Sequence, residues 1–214
     1  MRKTFICLLT CLTLGLASCS SSTPPPTPQV VTVYSSPFTQ SWLADLYTCA
    51  GTSATIRLSD SASASVADIR LQLGEPELLT GFAYQVDEEE LLIVTNRTSP
   101  VQNLTLDQAQ ALFMGLGDPA VQVWVYASGA EGQRLFDQFV MEGRSVTPSA
   151  RVAATPQQMS DTLVNGSNVV GILPRHWKAG DVREVYVAAK VPVLALTQAG
   201  PQGAVQDLIA CLQK

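Results

Sequence analysis

Residues 81–115 read GFAYQVDEEELLIVTNRTSPVQNLTLDQAQALFMG, and the order of residue types in this stretch decides the fold. An aromatic-bearing segment leads into the acidic run 87–90, which reads as a solvated turn. Residues 91–94 (LLIV) are wholly apolar and bounded by polar neighbours, the pattern of a short buried strand. Residues 96–100 are turn chemistry. Thr105 can then cap a helix that opens at Leu106 with Asp107 in its first turn. Leu106, Ala109, Leu112 and Phe113 recur at helical spacing until Gly115 stops the helix.

Outward from this stretch the same alternation continues. Toward the N-terminus, residues 30–34 (VVTVY) form a β-branched strand that breaks at Ser35-Ser36-Pro37 into a helical pattern of Phe38, Trp42, Leu43 and Leu46. Ser35 and Ser36 either cap that helix or turn hydroxyls and helix-start N–H groups toward a charged oxygen. Residues 55–58 and 67–73 read as the second and third strands, separated by the small polar run SDSASASV. Toward the C-terminus, residues 121–126 (VQVWVY) place Val121, Val123 and Val125 on one strand face. The turn ASGAEG follows, then a helix with Leu135, Phe136, Phe139 and Val140 along one side. A short extended pair at 151–152, a helix over 156–163, an apolar strand over 169–174, strands over 185–187 and 191–197 and a helix over 204–212 complete the pattern. Strands alternating with helices specify an α/β protein.

The chain has 214 residues, enough for one domain or two small lobes with a sizeable core, and 46% of them are hydrophobic against 14% charged. Arg2 and Lys3 precede an apolar core over residues 5–16, which has signal-peptide rather than membrane-spanning length. The sequence Leu16-Ala17-Ser18-Cys19 is similar to the bacterial lipobox, in which the Cys thiol receives a diacylglycerol. An ordinary signal cleavage region is the alternative for Cys19. Residues 1–18 are therefore expected to be a lipoprotein signal peptide that takes Cys7 and Cys11 with it. Residues 19–29 are the lipidated Cys and a Ser/Pro-rich tether, about 3.1 Å per residue and on the order of 30 Å long. Without Arg2 and Lys3, 11 basic residues face 18 acidic ones, a net charge of −7. Such a balance lacks the basic footprint that non-specific nucleic-acid binding needs.

An apolar strand ending in V-x-N, a polar step to Pro-Val, then N-L-T and a helix closing on F-x-G together resemble the interdomain crossing of a known family, the periplasmic phosphate-binding-like (type 2) solute-binding proteins. The resemblance covers nearly all of residues 30–214. It implies a two-lobed α/β fold, each lobe a small mixed sheet flanked by helices, joined by two crossing strands. Lobe 1 is then 30–94 with 190–214, and lobe 2 is 95–189. It further implies a monomer that captures a small, oxyanionic or other solute between the lobes and delivers it to an ABC permease. The protein is accordingly expected outside the cytoplasm, held at the bacterial cell membrane by Cys19.

The family's first ligand loop falls at Ser35 and Ser36. Its signature R-x-x-G-S-G-T, matched through Phe136, falls on Tyr126 and on Gly129, Ala130, Glu131 and Gly132, with Ser128 one step upstream. The implied contacts are Ser35, Ser36, Ser128, Gly129, Ala130 and Gly132, with Arg70 and Arg97 as compensating cations or solvated surface charges. The chain departs from the family in three places, the first being the R-x-x-G-S-G-T signature, of which only Gly129 survives literally. No Gly-Ser-rich loop and helix separate the second and third strands, and Leu73 stands where an Asp is usual. Glu131 would repel a bound dianion by about 1 to 4 kcal/mol at 4 Å, so ordinary high-affinity phosphate binding is not expected. The alternative is a degenerate binding-protein scaffold used as an envelope sensor or interaction module.

Cys49 ends the first helix and Cys211 lies in the last. A C-terminal helix that returns to the first lobe makes them neighbours, and an exported protein meets an oxidising compartment. A disulfide is expected, with two separate buried thiols as the alternative. His176 is the only histidine, has no neighbouring Cys and reads as a surface or packed residue rather than a metal ligand. No metal or other cofactor is implied. The chain shows no Ser/His/Asp arrangement, metal-ligand cluster or Walker-type loop, so an enzyme is not expected.

Overall fold

The computed structural model describes residues 28–214. The expected leader, Cys19 and the expected tether through residue 27 lie outside the described residues. The first strand, β1 (Gln29–Ser35), takes in the last residue assigned to the tether, and the Gln29 side chain accepts a hydrogen bond from Ala204 N at 3.1 Å.

Two long strands organise the molecule. β4 (Phe82–Asn96) and β8 (Val182–Thr197) pair antiparallel along their whole lengths. On one side of this ribbon stand β1, β2 (Ala54–Leu58) and β3 (Ile69–Leu73). On the other stand β5 (Gln122–Tyr126), β6 (Arg151–Ala153) and β7 (Val169–Pro174). The strand order is β2-β1-β3-β8-β4-β7-β5-β6. β1 runs parallel to β2 and β3, and β5 runs parallel to β6 and β7, while both long strands are antiparallel to their outer neighbours. The result is a mixed α/β sheet in two halves.

Leu91, Leu92, Ile93 and Val94 are fully buried, as an apolar run covered on both faces requires. The acidic run before them is the first correction, because Asp87, Glu88, Glu89 and Glu90 belong to β4 and are no solvated turn. Each acid has a partner brought from elsewhere in the chain. Trp42 Nε1 donates to Asp87 at 2.8 Å, Lys190 pairs with Glu88, His176 Nδ1 lies 2.8 Å from Glu89, and Arg175 Nε donates to Glu90 at 2.6 Å. Arg175 also forks onto Glu184 at 2.8 and 2.9 Å. Likewise residues 182–197 form one strand rather than two.

Among the described residues five α-helices flank the sheet: α1 (Leu43–Ala50), α2 (Leu106–Phe113), α3 (Glu131–Phe136), α4 (Pro156–Asn165) and α5 (Ala204–Leu212). α2 starts where its sequence dictates. Thr105 accepts from Gln108 N while Gln108 Oε1 accepts from Thr105 N, a reciprocal capping box. Gly115, at φ +82°, turns the chain out of α2. α1 begins later than its apolar pattern implied, after a 3-10 turn at Gln40–Trp42. The run SDSASASV contains a 3-10 segment, Ser61–Val66, capped by Asp60.

After α3 the backbone widens into a π-helical turn, Asp137–Met141. The altered phase explains a second correction: Phe139 is 40% exposed, whereas Val140 and Met141 are fully buried. Cys49 and Cys211 are disulfide-bonded across α1 and α5, with Cα atoms 5.8 Å apart. No helix among the described residues is long and apolar enough to cross a membrane.

Candidate functional site

The C-terminal ends of β1 and β3 meet the start of α3, which comes from the other half of the sheet. After β1 the chain turns at Ser36, where Thr39 N donates to Ser36 O at 3.0 Å. Thr39 Oγ1 lies 3.3 Å from both Ser36 O and Leu71 O, fixing this turn to β3. α1, starting at Leu43, has no side-chain cap, so neither serine caps it. Ser36, 4% exposed, instead donates its hydroxyl to Glu131 Oε2 at 2.7 Å. Leu73 N donates to the same oxygen at 3.4 Å. The donors at this position thus hold a carboxylate of the chain itself.

Burial is the largest influence on that carboxylate and raises its pKa above the usual value. The Ser36 and Leu73 hydrogen bonds, then the charges of Arg134 and Arg70, pull the other way without cancelling it. Tyr34 nearby is also raised, by burial first and then by the Glu131 charge, with Arg70 opposing.

The walls around Glu131 are closely packed. Tyr126, 2% exposed, meets the Phe38 ring edge-on with centroids 4.9 Å apart. Its phenol is raised well above the ordinary value by burial, and its hydroxyl has no hydrogen-bond partner. The backbone N–H of Tyr126 donates to Gln133 Oε1 at 3.0 Å, and Gln133 Nε2 donates to Asp137 at 2.8 Å. Gly132 permits the close approach of α3, since a Cβ there would lie 2.4 Å from Phe38 Cε1.

Of the residues expected at a ligand, Ser36 and Gly132 therefore meet around Glu131. Ser35 stays local, its hydroxyl 3.0 Å from Thr39 Oγ1. Ser128 and Gly129 are exposed on the turn before α3, and Gly129 has φ +87°. Ala130 spends its N–H on Ala127 O at 3.0 Å. Arg97 lies in the turn after β4 and pairs with Asp181 at 2.8 Å, both side chains well exposed. Arg70 sits on β3 opposite Leu196 and lines a separate cavity.

Thr39 and Gln133 were not singled out by sequence, and no local pattern distinguishes either. Glu131 was visible as a carboxylate in the glycine-rich turn, but its bond to Ser36 spans 95 positions. His176 packs its ring against Trp42 at 4.6 Å. No group of three or more His, Cys, Asp or Glu able to hold a metal occurs among the described residues.

No protein-family model matches the chain, and no curated protein matches it. Solved structures do. A phosphate-bound substrate-binding protein of a phosphate ABC transporter from Clostridium perfringens is similar at TM-score 0.74 and 14% identity, over 86% of this chain and 93% of that one. The fold is periplasmic-binding-protein-like and two-lobed. An ABC-type phosphate transport receptor from Vibrio cholerae gives TM-score 0.63 and 17% identity, over 86% and 93%. The regulatory domain of CcmR from Synechocystis PCC6803, in complex with 2-PG, gives 0.63 and 13%, over 86% and 96%. At such identities the likeness shows the fold alone. The neighbours are binding proteins and regulatory domains.

Proposed function

We propose that this chain is a lipid-anchored extracytoplasmic binding protein that works as an envelope sensor or interaction module and does not carry phosphate. One observation carries the reading: the Ser36 hydroxyl, a donor expected to face a bound oxyanion, is taken by Glu131 Oε2 at 2.7 Å. A second anion at that position would meet a like charge as well as spent donors. The lobes are those set out by sequence, 30–94 with 190–214 and 95–189, and Cys19 supplies the anchor.

A second reading, a solute receptor for an ABC importer, is favoured by the likeness to the phosphate-bound protein, 93% of whose chain is covered. In that case the solute is one that leaves the Ser36–Glu131 bond intact, and the candidate contacts are the hydroxyls of Ser35 and Ser128 and the backbone at Gly129, Ala130 and Gly132. Thermal melting in the presence of phosphate tests the first reading. A ligand at 100 times its dissociation constant adds about 2.7 kcal/mol, which moves the midpoint of a chain this size by roughly 5–10 °C. The sensor reading expects no movement with phosphate. A rise of that size would overturn it and establish a phosphate receptor.

A further inference from the structure

Among the described residues, Arg70 and Arg134 each carry a buried guanidinium nitrogen without a hydrogen-bond partner, and of the two Arg70 faces a cavity free of acids. Its Nε is buried and has no hydrogen-bond partner, and no carboxylate pairs with it among the described residues. A buried, unpaired guanidinium N–H is more costly than an unpaired neutral donor, so the group calls for an anionic partner. Arg70 also lines a partly enclosed cavity of about 150 Å³ on the β1–β3 side of the sheet.

The other walls of the cavity are specific in chemistry. Leu196 lies directly across the β3–β8 ladder from Arg70, and Leu79 forms a second aliphatic wall. Ser65, Thr80 and Gln198 add polar groups. The Gln198 amide already donates to Ser65 O, which closes one end of the cavity to the backbone of the Ser61–Val66 turn. No acidic residue lines the cavity. The volume is well below the roughly 300–1,000 Å³ of drug-sized sites. At about 30 Å³ per water it holds the equivalent of about five waters, a ligand of about five to seven non-hydrogen atoms.

We infer that the Arg70 cavity is a binding site for a short-chain aliphatic carboxylate. The guanidinium takes the carboxylate oxygens through paired N–H donors, while the alkyl chain lies against Leu79 and Leu196. Neither Ser36 nor Glu131 lines this cavity. The inference stands apart from the sensor and receptor readings.

The test is isothermal titration calorimetry of the full chain in non-ionic detergent, with butyrate as the probe and inorganic phosphate as the comparison. Butyrate is expected to bind the wild type, and Arg70→Gln to weaken it at least tenfold. Leu79→Phe, a change at a half-exposed wall that leaves the charge in place, is expected to weaken butyrate by a similar factor. Arg144→Gln, which removes an exposed arginine paired with Glu142, is expected to leave butyrate affinity within twofold. Circular dichroism melts confirm that each variant is folded, and Leu79→Phe serves if Arg70→Gln is not. Equal butyrate affinity in Arg70→Gln or in Leu79→Phe would overturn the assignment. So would flat heats with butyrate at millimolar concentration, meaning that water alone fills the cavity. Phosphate binding that depends on Arg70, without butyrate binding, would overturn the aliphatic part and leave a plain oxyanion site.

Discussion

Replacing both Cys49 and Cys211 by serine is expected to lower the thermal midpoint more than any single surface change. The bridge closes a loop with a sequence separation of 162, nearly the whole described chain. In the chain-entropy model a loop of that length gives about 5 kcal/mol, because the unbridged unfolded chain regains the freedom of both ends. At roughly 2–4 °C per kcal/mol for a chain this size, the midpoint should fall by about 10–20 °C. The folded state is expected to survive the change, since Leu46 of α1 and Leu208 and Ile209 of α5 stay buried beside the bridge. Circular dichroism melts of the oxidised wild type, the wild type kept in reductant and the double serine variant make the comparison. Reductant and substitution should give the same midpoint. A double variant melting within about 2 °C of the oxidised wild type, less than about 1 kcal/mol, would refute the reasoning and show that the reduced chain is already restricted when unfolded.

Two further changes probe the candidate site. Because burial raises the Glu131 pKa, the folded chain holds that proton to higher pH than the unfolded one, so this group costs stability as pH rises through the interval between the two values. Glu131→Gln should therefore gain on the wild type as pH climbs from the ordinary carboxylate range and level off above the raised value, read from denaturant midpoints between about pH 4 and pH 8. A gap that does not change with pH would remove the electrostatic account. Gly132→Ala places a Cβ 2.4 Å from the Phe38 ring and should cost about 1–3 kcal/mol through overpacking, measured by urea unfolding; a cost under about 0.5 kcal/mol would mean that α3 is free to withdraw.

The elements legible in the sequence are those whose reasons are local. The Thr105 cap, the glycine at 115 and the apolar run 91–94 each state their own structure; the cap and the stop stand as read, and the run is buried as read but belongs to a longer strand. The acidic run 87–90 reads as a turn because four adjacent acids are seldom a strand; here the ladder to β8 takes them in, and Trp42, Lys190, His176 and Arg175, all distant in sequence, partner the four carboxylates. Phe139 was misplaced for a different reason. A helical period assumes a constant pitch, and one π turn shifts the phase of everything after it. At the site, Glu131 was seen as an obstacle to an anion, but its occupation of the Ser36 donor depends on how the two halves approach each other. That approach is a property of the sheet as a whole.

The paired long strands also bear on how the halves can move. A ribbon two strands wide bends out of its own plane more readily than a wider sheet. Register shifts interrupt their ladder between Gln85 and Asp87, between Leu91 and Leu92 and between Ile93 and Val94. Each local break in pairing is a place where flexing disturbs fewest hydrogen bonds. Two of the three lie within the fully buried run, where β7 also pairs with β4, so the sheet narrows to two strands only where Glu88–Glu90 face Lys190–Pro192, and the join between the halves is thinnest there.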